Sequence, residues 1–211
     1  MSSEKAPYFG PCLREMVENP IPLRNPLIEQ LLYERAILMT YAKSGVGKSV
    51  IALCSALQAS SGVPVFSFFE TVRPLKIYYV LGERDIYEPA ERMQLMRNAL
   101  EINYDNLFID DEVIGKNLLD HRNEEWLIQR INTFCPFVDV VYFDPIYSLV
   151  AGGLANPEKA TAFAQFSSRL QKEFKCAIWL NNHTIKYTNT IVEGSLVEKD
   201  DPFFGSEFLK A

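Results

Sequence analysis

The 211 residues contain no long hydrophobic run, no excess of positive charge, and only four cysteines and two histidines. No apolar stretch approaches the roughly 20 residues of a membrane-spanning helix. The opening Met1-Ser2-Ser3-Glu4-Lys5 has none of the apolar character of a signal peptide. A membrane protein is therefore not expected. Cys12, Cys54, Cys135 and Cys176 form no C-x-x-C pair; they read as small buried hydrophobes, and a reducing cytoplasm is the expected compartment. With 21 Lys and Arg against 27 Asp and Glu, the net charge is −6. That argues against a generally basic nucleic-acid binder while leaving room for a localised basic loop or channel. Repeats and low-complexity segments are missing too, and no arginine follows Arg169. What remains is a chain with 48% apolar residues, enough for the core of one domain.

The most informative stretch is Ala42-Lys43-Ser44-Gly45-Val46-Gly47-Lys48-Ser49. The apolar run Ala36-Ile37-Leu38-Met39 leads into it, and a helical pattern, Val50, Leu53, Cys54 and Leu57, leads out. Strand, glycine-bearing loop and helix with Lys-Ser at the turn is the setting of a phosphate-binding loop. Its glycines let backbone N–H groups form a concave nest for phosphate oxygens, and the helix start adds free N–H groups and a positive dipole end. Lys48 is expected on the β- and γ-phosphates and the Ser49 hydroxyl on Mg²⁺. Ala42 stands where the motif has its first glycine, which is tolerable only if that position avoids a left-handed conformation. The expected nucleotide-binding set runs from Ala42 to Val50.

Along the chain, Pro7, Pro11, Pro20, Pro22 and Pro26 mark an extended arm. The arm is placed at 1–21, with a short helix around Leu13 to Glu18, and a single domain at 22–211. Leu27 to Tyr33 reads as a short helix before a first strand, Ala36 to Tyr41. The helix from Lys48 to Ser61 closes at Gly62. Val63 to Phe69 is either a short edge strand or a loop over the nucleotide. Further strands are expected at Lys76–Leu81, Asn106–Ile109, Val138–Phe143 and Cys176–Leu180. Helices are expected around Pro89 to Leu100, from an Asn123 cap to Phe134, and from Asn156-Pro157-Glu158 onward. After His183 the pattern lapses until Gly205. Strands alternating with helices imply an α/β fold, a parallel sheet covered on both faces.

Ligands of such sheets bind beyond the carboxyl ends of the strands. Asp144, after the fourth strand, either holds Mg²⁺ opposite Ser49 or simply forms an Asp-Pro turn. Glu83, one residue past the second, either activates the attacking water or is a solvated turn residue. His183 after the fifth, beside Asn181 and Asn182, senses the γ-phosphate or bonds to nearby backbone. Tyr87 stacks on adenine or packs under its loop. Arg84 and Asp85 read as a surface pair, Arg73, Arg92 and Arg97 are best explained locally, and His121 lies in a polar loop. Lys186, Tyr187 and Lys199, basic and aromatic residues in an irregular stretch, suit a contact with single-stranded nucleic acid.

As a set, Ala42 to Ser49, Glu83, Asp144 and His183 resemble the RecA-like P-loop ATPase core. Asn25-Pro26-Leu27-Ile28-Glu29-Gln30 and Asn182-His183-Thr184-Ile185-Lys186 are similar to the subgroup of plasmid RepA hexameric helicases. The resemblance spans about Pro22 to the end. It implies a mainly parallel sheet ordered third, second, fourth, fifth, first, with helices on both faces. It implies ATP and Mg²⁺ bound between subunits of a homo-oligomeric ring. Lys48 and Ser49 would sit on phosphate and metal, Glu83 would be the base, Asp144 a metal ligand and His183 the sensor. Residues 151–156 and 184–204 would face the channel that holds single-stranded DNA. That family continues through at least one more strand and an arginine that completes the neighbouring site, so the domain is expected to be truncated, with 205–211 the start of the missing part. The implied activity is that of a replicative helicase motor. The alternative is a RecA- or KaiC-like regulatory ATPase that acts on a protein partner, and the acidic balance leans that way.

Overall fold

A computed structural model describes residues 24–43, 45–83, 86–100, 105–151, 153–154, 156–183, 189–192 and 195–198, with the side chains of Leu100, His183 and 189–198 left out. The arm at 1–21, its short helix, Cys12, Ser44, Arg84 and Asp85 fall outside these residues, as do Lys186, Tyr187, Lys199 and 205–211.

The centre is a parallel sheet of five strands: β3 (Ile37–Ala42), β4 (Ile77–Leu81), β5 (Leu107–Asp110), β6 (Val140–Asp144) and β7 (Ala177–His183). Their order is β3-β7-β6-β4-β5. Read from the other edge this is third, second, fourth, fifth, first, the order of the RecA-like P-loop core. A small antiparallel hairpin, β1 (Pro26–Ile28) and β2 (Leu32–Tyr33), precedes the sheet.

The central strands are buried from end to end, as parallel strands covered on both faces are. Period-two alternation divides their side chains between two cores. Ile77, Tyr79 and Leu81 of β4, with Val140 and Tyr142 of β6, pack under helix α1 (Lys48–Ser61), and Met93 of α2 (Tyr87–Leu100) joins them. Tyr78 and Val80, with Val141 and Phe143, pack against α3 (His121–Phe134), α4 (Ile146–Leu149) and α5 (Pro157–Phe174) on the other face. Among the described residues no helix is long and apolar enough to cross a membrane.

Several local signals act as expected. Gly62 closes α1 in the left-handed conformation at φ 75°, where a β-carbon is costly. Asn156 caps α5 by accepting from the N–H groups of Glu158 and Lys159, with Pro157 at the first helical position.

Other expectations are corrected. Leu27 to Tyr33 is a hairpin, not a helix. Gln30 turns the chain at φ 61°, and Glu29 N–H donates to the Glu70 carbonyl 2.8 Å away. A tertiary partner thus takes the backbone bonds a helix would keep to itself. The 63–69 segment does not lie over the phosphate loop. Its Phe66 N–H donates to the Gln58 side chain, ten residues and about 15 Å along α1 from Lys48 at 1.5 Å per residue. Asp120, not Asn123, caps α3, accepting from Arg122 N–H at 2.9 Å, so His121 is the first residue of that helix. Cys135 and Cys176 are buried, but Cys54 is only half-buried. The stretch after His183 contains an antiparallel pair, β8 (Asn189–Val192) and β9 (Ser195–Glu198). The cue was present in Thr190-Ile191-Val192 and Ser195-Leu196-Val197, two β-prone runs two residues apart.

Candidate active site

The carboxyl ends of β3, β4 and β6 and the start of α1 enclose a cleft of about 230 Å³. Gly45, Gly47, Lys48, Ser49, Val50, Glu83 and Asp144 all line it, so residues up to 99 positions apart in the chain share one site.

Ala42 is the last residue of β3, in extended backbone, which is why alanine suffices at that position. The turn is made by Gly45 and Gly47, at φ 84° and 95°. An added β-carbon would touch nothing at either glycine, so the requirement there is conformational, not steric. Lys48 Nζ donates to the carbonyls of Ala42 and Lys43, each at 2.8 Å. Two of its three protons are thereby committed to the loop, and one remains for phosphate. Burial pushes the ammonium below the usual lysine value, against the opposing pull of the Asp144 and Glu83 carboxylates. The α1 start has no side-chain cap and no acidic residue in its first turn, so its N–H groups and positive dipole end are left for an anion.

Asp144 ends β6 and is 5% exposed. Its Oδ1 accepts from Ser49 Oγ at 3.0 Å and from Asn181 Nδ2 at 2.9 Å; its Oδ2 accepts from the Tyr79 hydroxyl. Among the described residues no cation lies within ion-pair distance of it. A carboxylate and a hydroxyl are hard oxygen donors, and Mg²⁺ bound by one carboxylate takes its other ligands from phosphate and water. Ser49 and Asp144 fit that donor set. No cluster of three His, Cys, Asp or Glu among the described residues could hold a metal without a nucleotide.

Glu83 is exposed at the mouth of the cleft. Gly82 N–H donates to the Asp144 carbonyl at 2.9 Å, which ties the Glu83 turn to the end of β6. A β-carbon on Gly82 would lie 2.8 Å from the Pro145 carbonyl oxygen and 2.4 Å from Ser148 Oγ, so glycine is needed there for close approach.

Some expected site residues lie elsewhere. Tyr87, the first residue of α2, is 75% exposed and does not line the cleft. Val46 is also exposed. The backbone of His183 ends β7 in register with Ala42. Arg92 does more than the local role expected of it: it pairs with Glu88 one turn away and also lines the cleft. The residues missed from sequence are Tyr79 and Thr40, and Asn181, read only as a neighbour of His183, turns out to bond Asp144. Their signal was a polar group in an otherwise apolar strand, a pattern that does not name its partner.

The chain matches the family model of the AAA domain over residues 11–189. No match is found among the curated proteins. With the phosphate loop at the edge of a five-stranded parallel sheet, this chain belongs to the AAA domain family of P-loop ATPases.

Proposed function

We infer that the chain binds ATP with Mg²⁺ and hydrolyses it, as the motor domain of a ring-forming, RepA-type helicase that acts on single-stranded DNA. The observation that carries the hydrolytic reading is the Ser49 Oγ to Asp144 Oδ1 distance of 3.0 Å in a cleft that also holds Lys48 and Glu83. The backbone N–H groups of the loop and α1 take phosphate oxygens, and Lys48 adds its free donor. Ser49 and Asp144 would hold Mg²⁺, which would supply charge neutralisation at the phosphates. Glu83 orients the attacking water and accepts its proton. Arg92 offers a further cation from within the same chain. In this reading His183, whose backbone pairs in register with Ala42, is the γ-phosphate sensor.

The motor reading draws support from the strand order and from the resemblance of the 25–30 and 182–186 segments to RepA-type helicases. Lys186, Tyr187 and Lys199 are its candidate DNA contacts. The net charge of −6 favours the second reading, a nucleotide-dependent switch acting on a protein. Steady-state ATP turnover measured with and without a thymidine homopolymer separates the two. The helicase reading requires that the polymer raise turnover; turnover indifferent to DNA leaves the switch.

A further inference from the structure

Asp144 is gripped from two sides by groups outside the phosphate loop. On one side, Tyr79 donates its hydroxyl to Oδ2. On the other runs a chain of donors. Trp179 Nε1–H can only donate, and it points to Thr40 Oγ1 at 3.2 Å. The Thr40 hydroxyl then donates to Asn181 Oδ1. With its oxygen turned to Thr40, the Asn181 amide must present Nδ2 to Asp144 Oδ1, at 2.9 Å. The Asp144 carboxylate only accepts, so it fixes which way the amide faces; the Thr40 hydroxyl, which also has the Leu180 carbonyl at 3.3 Å, meets the amide oxygen on the other side.

Both arms spring from one rigid platform. Tyr79, Tyr142 and Trp179 stand in register on β4, β6 and β7. Their rings stack with centroids 5.4 Å and 5.1 Å apart. Tyr79, Asn181 and Trp179 are all at most 2% exposed, so water cannot replace a lost donor without rearrangement.

We propose that Tyr79 and the Thr40–Asn181 pair are positioning residues, which hold the Asp144 carboxylate in the orientation that receives Mg²⁺ together with Ser49. This rests on the metal role of Asp144 given above. The last torsion of an aspartate is broad and intrinsically unspecific. Of the three donors, only the Ser49 hydroxyl belongs to the metal-facing side; Tyr79 and Asn181 are left to hold the plane of the carboxylate. Loss of such outer partners typically costs about 10–100-fold in metal affinity.

The test is a titration of Mg²⁺ into the full chain with ADP, read as nucleotide affinity, beside ADP affinity in EDTA. Tyr79→Phe keeps the ring stack and removes one donor; Thr40→Val keeps the shape and removes the other. Each is expected to raise the half-saturating Mg²⁺ concentration about 10-fold or more. ADP affinity in EDTA should stay within about twofold, and Thr40→Ser should restore the wild-type value. A merely structural role would move both affinities or neither. If Tyr79→Phe does not fold, Thr40→Val and its serine counterpart carry the test. Asp144→Asn distinguishes the two ways to fail. If it raises the Mg²⁺ requirement while Tyr79→Phe and Thr40→Val leave it unchanged, the positioning role is overturned and the metal site stands. If Asp144→Asn leaves it unchanged, the metal role falls and the positioning role with it.

Discussion

Asp110 and Asp144 end the two strands that flank β4, and consecutive tyrosines of β4 reach one each. Tyr78 donates to Asp110 on one face of the sheet, Tyr79 to Asp144 on the other. Both carboxylates are buried, at 1% and 5% exposure. They differ in what balances their charge. Arg130 clasps Asp110 with Nε at 2.6 Å and Nη2 at 2.9 Å, and its guanidinium lies over the rings of Trp126 and Phe134. Among the described residues Asp144 is hydrogen-bonded by the neutral donors Ser49, Tyr79 and Asn181; the Lys48 ammonium acts on it through space but is bonded to loop carbonyls instead. A buried carboxylate with its own arginine is complete; one without is left open to a cation from outside. Near-identical local geometry is therefore closed by an arginine on one face and left to neutral hydrogen-bond donors on the other.

The largest effect expected concerns a third carboxylate, Glu83, which is neither clasped nor buried. Glu83→Gln should lower kcat about 10²–10⁴-fold with ATP affinity little changed, because the amide keeps the shape but cannot accept the proton. Single-turnover kinetics beside equilibrium binding checks this, and wild-type kcat in the variant would remove Glu83 from the chemistry.

Next comes a crossed pair. Asp144→Asn should cut Mg²⁺-dependent turnover by about 10³-fold, since charge stabilisation by a bound metal is worth several kcal/mol. Its stability should hold or rise, because a buried carboxylate with no hydrogen-bonded cation is lost. Asp110→Asn should do the reverse, costing about 3–5 kcal/mol by leaving the arginine unpaired, with the Mg²⁺ requirement unmoved. Urea unfolding and Mg²⁺ titration on both variants give the four numbers. Equal stability losses would erase the contrast between the two sites.

The smallest effect is at alkaline pH and belongs to the Asp110 face. Burial pushes the Cys176 thiol up to about 12 from an ordinary 9.0. A folded-state pKa above the unfolded one means that the native state holds the proton longer. The resulting stability is fully present below pH 9 and is lost as pH rises from 9 toward 12. Cys176→Ala should flatten that part of the urea-midpoint profile relative to the wild type. An identical slope in both proteins would assign the alkaline loss to other groups, such as Tyr142, which burial also raises.

Local chemistry was legible in the residues themselves. The phosphate loop, the end of α1 at Gly62, the Asn156 cap of α5 and the parallel α/β class all follow from signals a few residues long: glycines at positive φ, a capping amide, apolar runs of strand length. Glu83 and Asp144 were legible because a polar residue just past an apolar strand falls at the edge where such sheets bind ligands. The resemblance to the RecA-like core implied the strand order, and the tertiary structure decided the register and the side-chain partners that follow from it. Period-two alternation says that Thr40 and Asn181 each lie on one side of a strand, but not that β3 pairs with β7 and joins them across 141 positions. It cannot say that Tyr78 meets an aspartate clasped by arginine and Tyr79 one held by neutral donors, nor that Arg92, while paired with Glu88, also lines the cleft. For the same reason the hairpin at 26–33 escaped notice: its own pairing is short, one turn bond from Leu31 N–H to the Ile28 carbonyl, and residues 70–72 add the further backbone bonds that hold it.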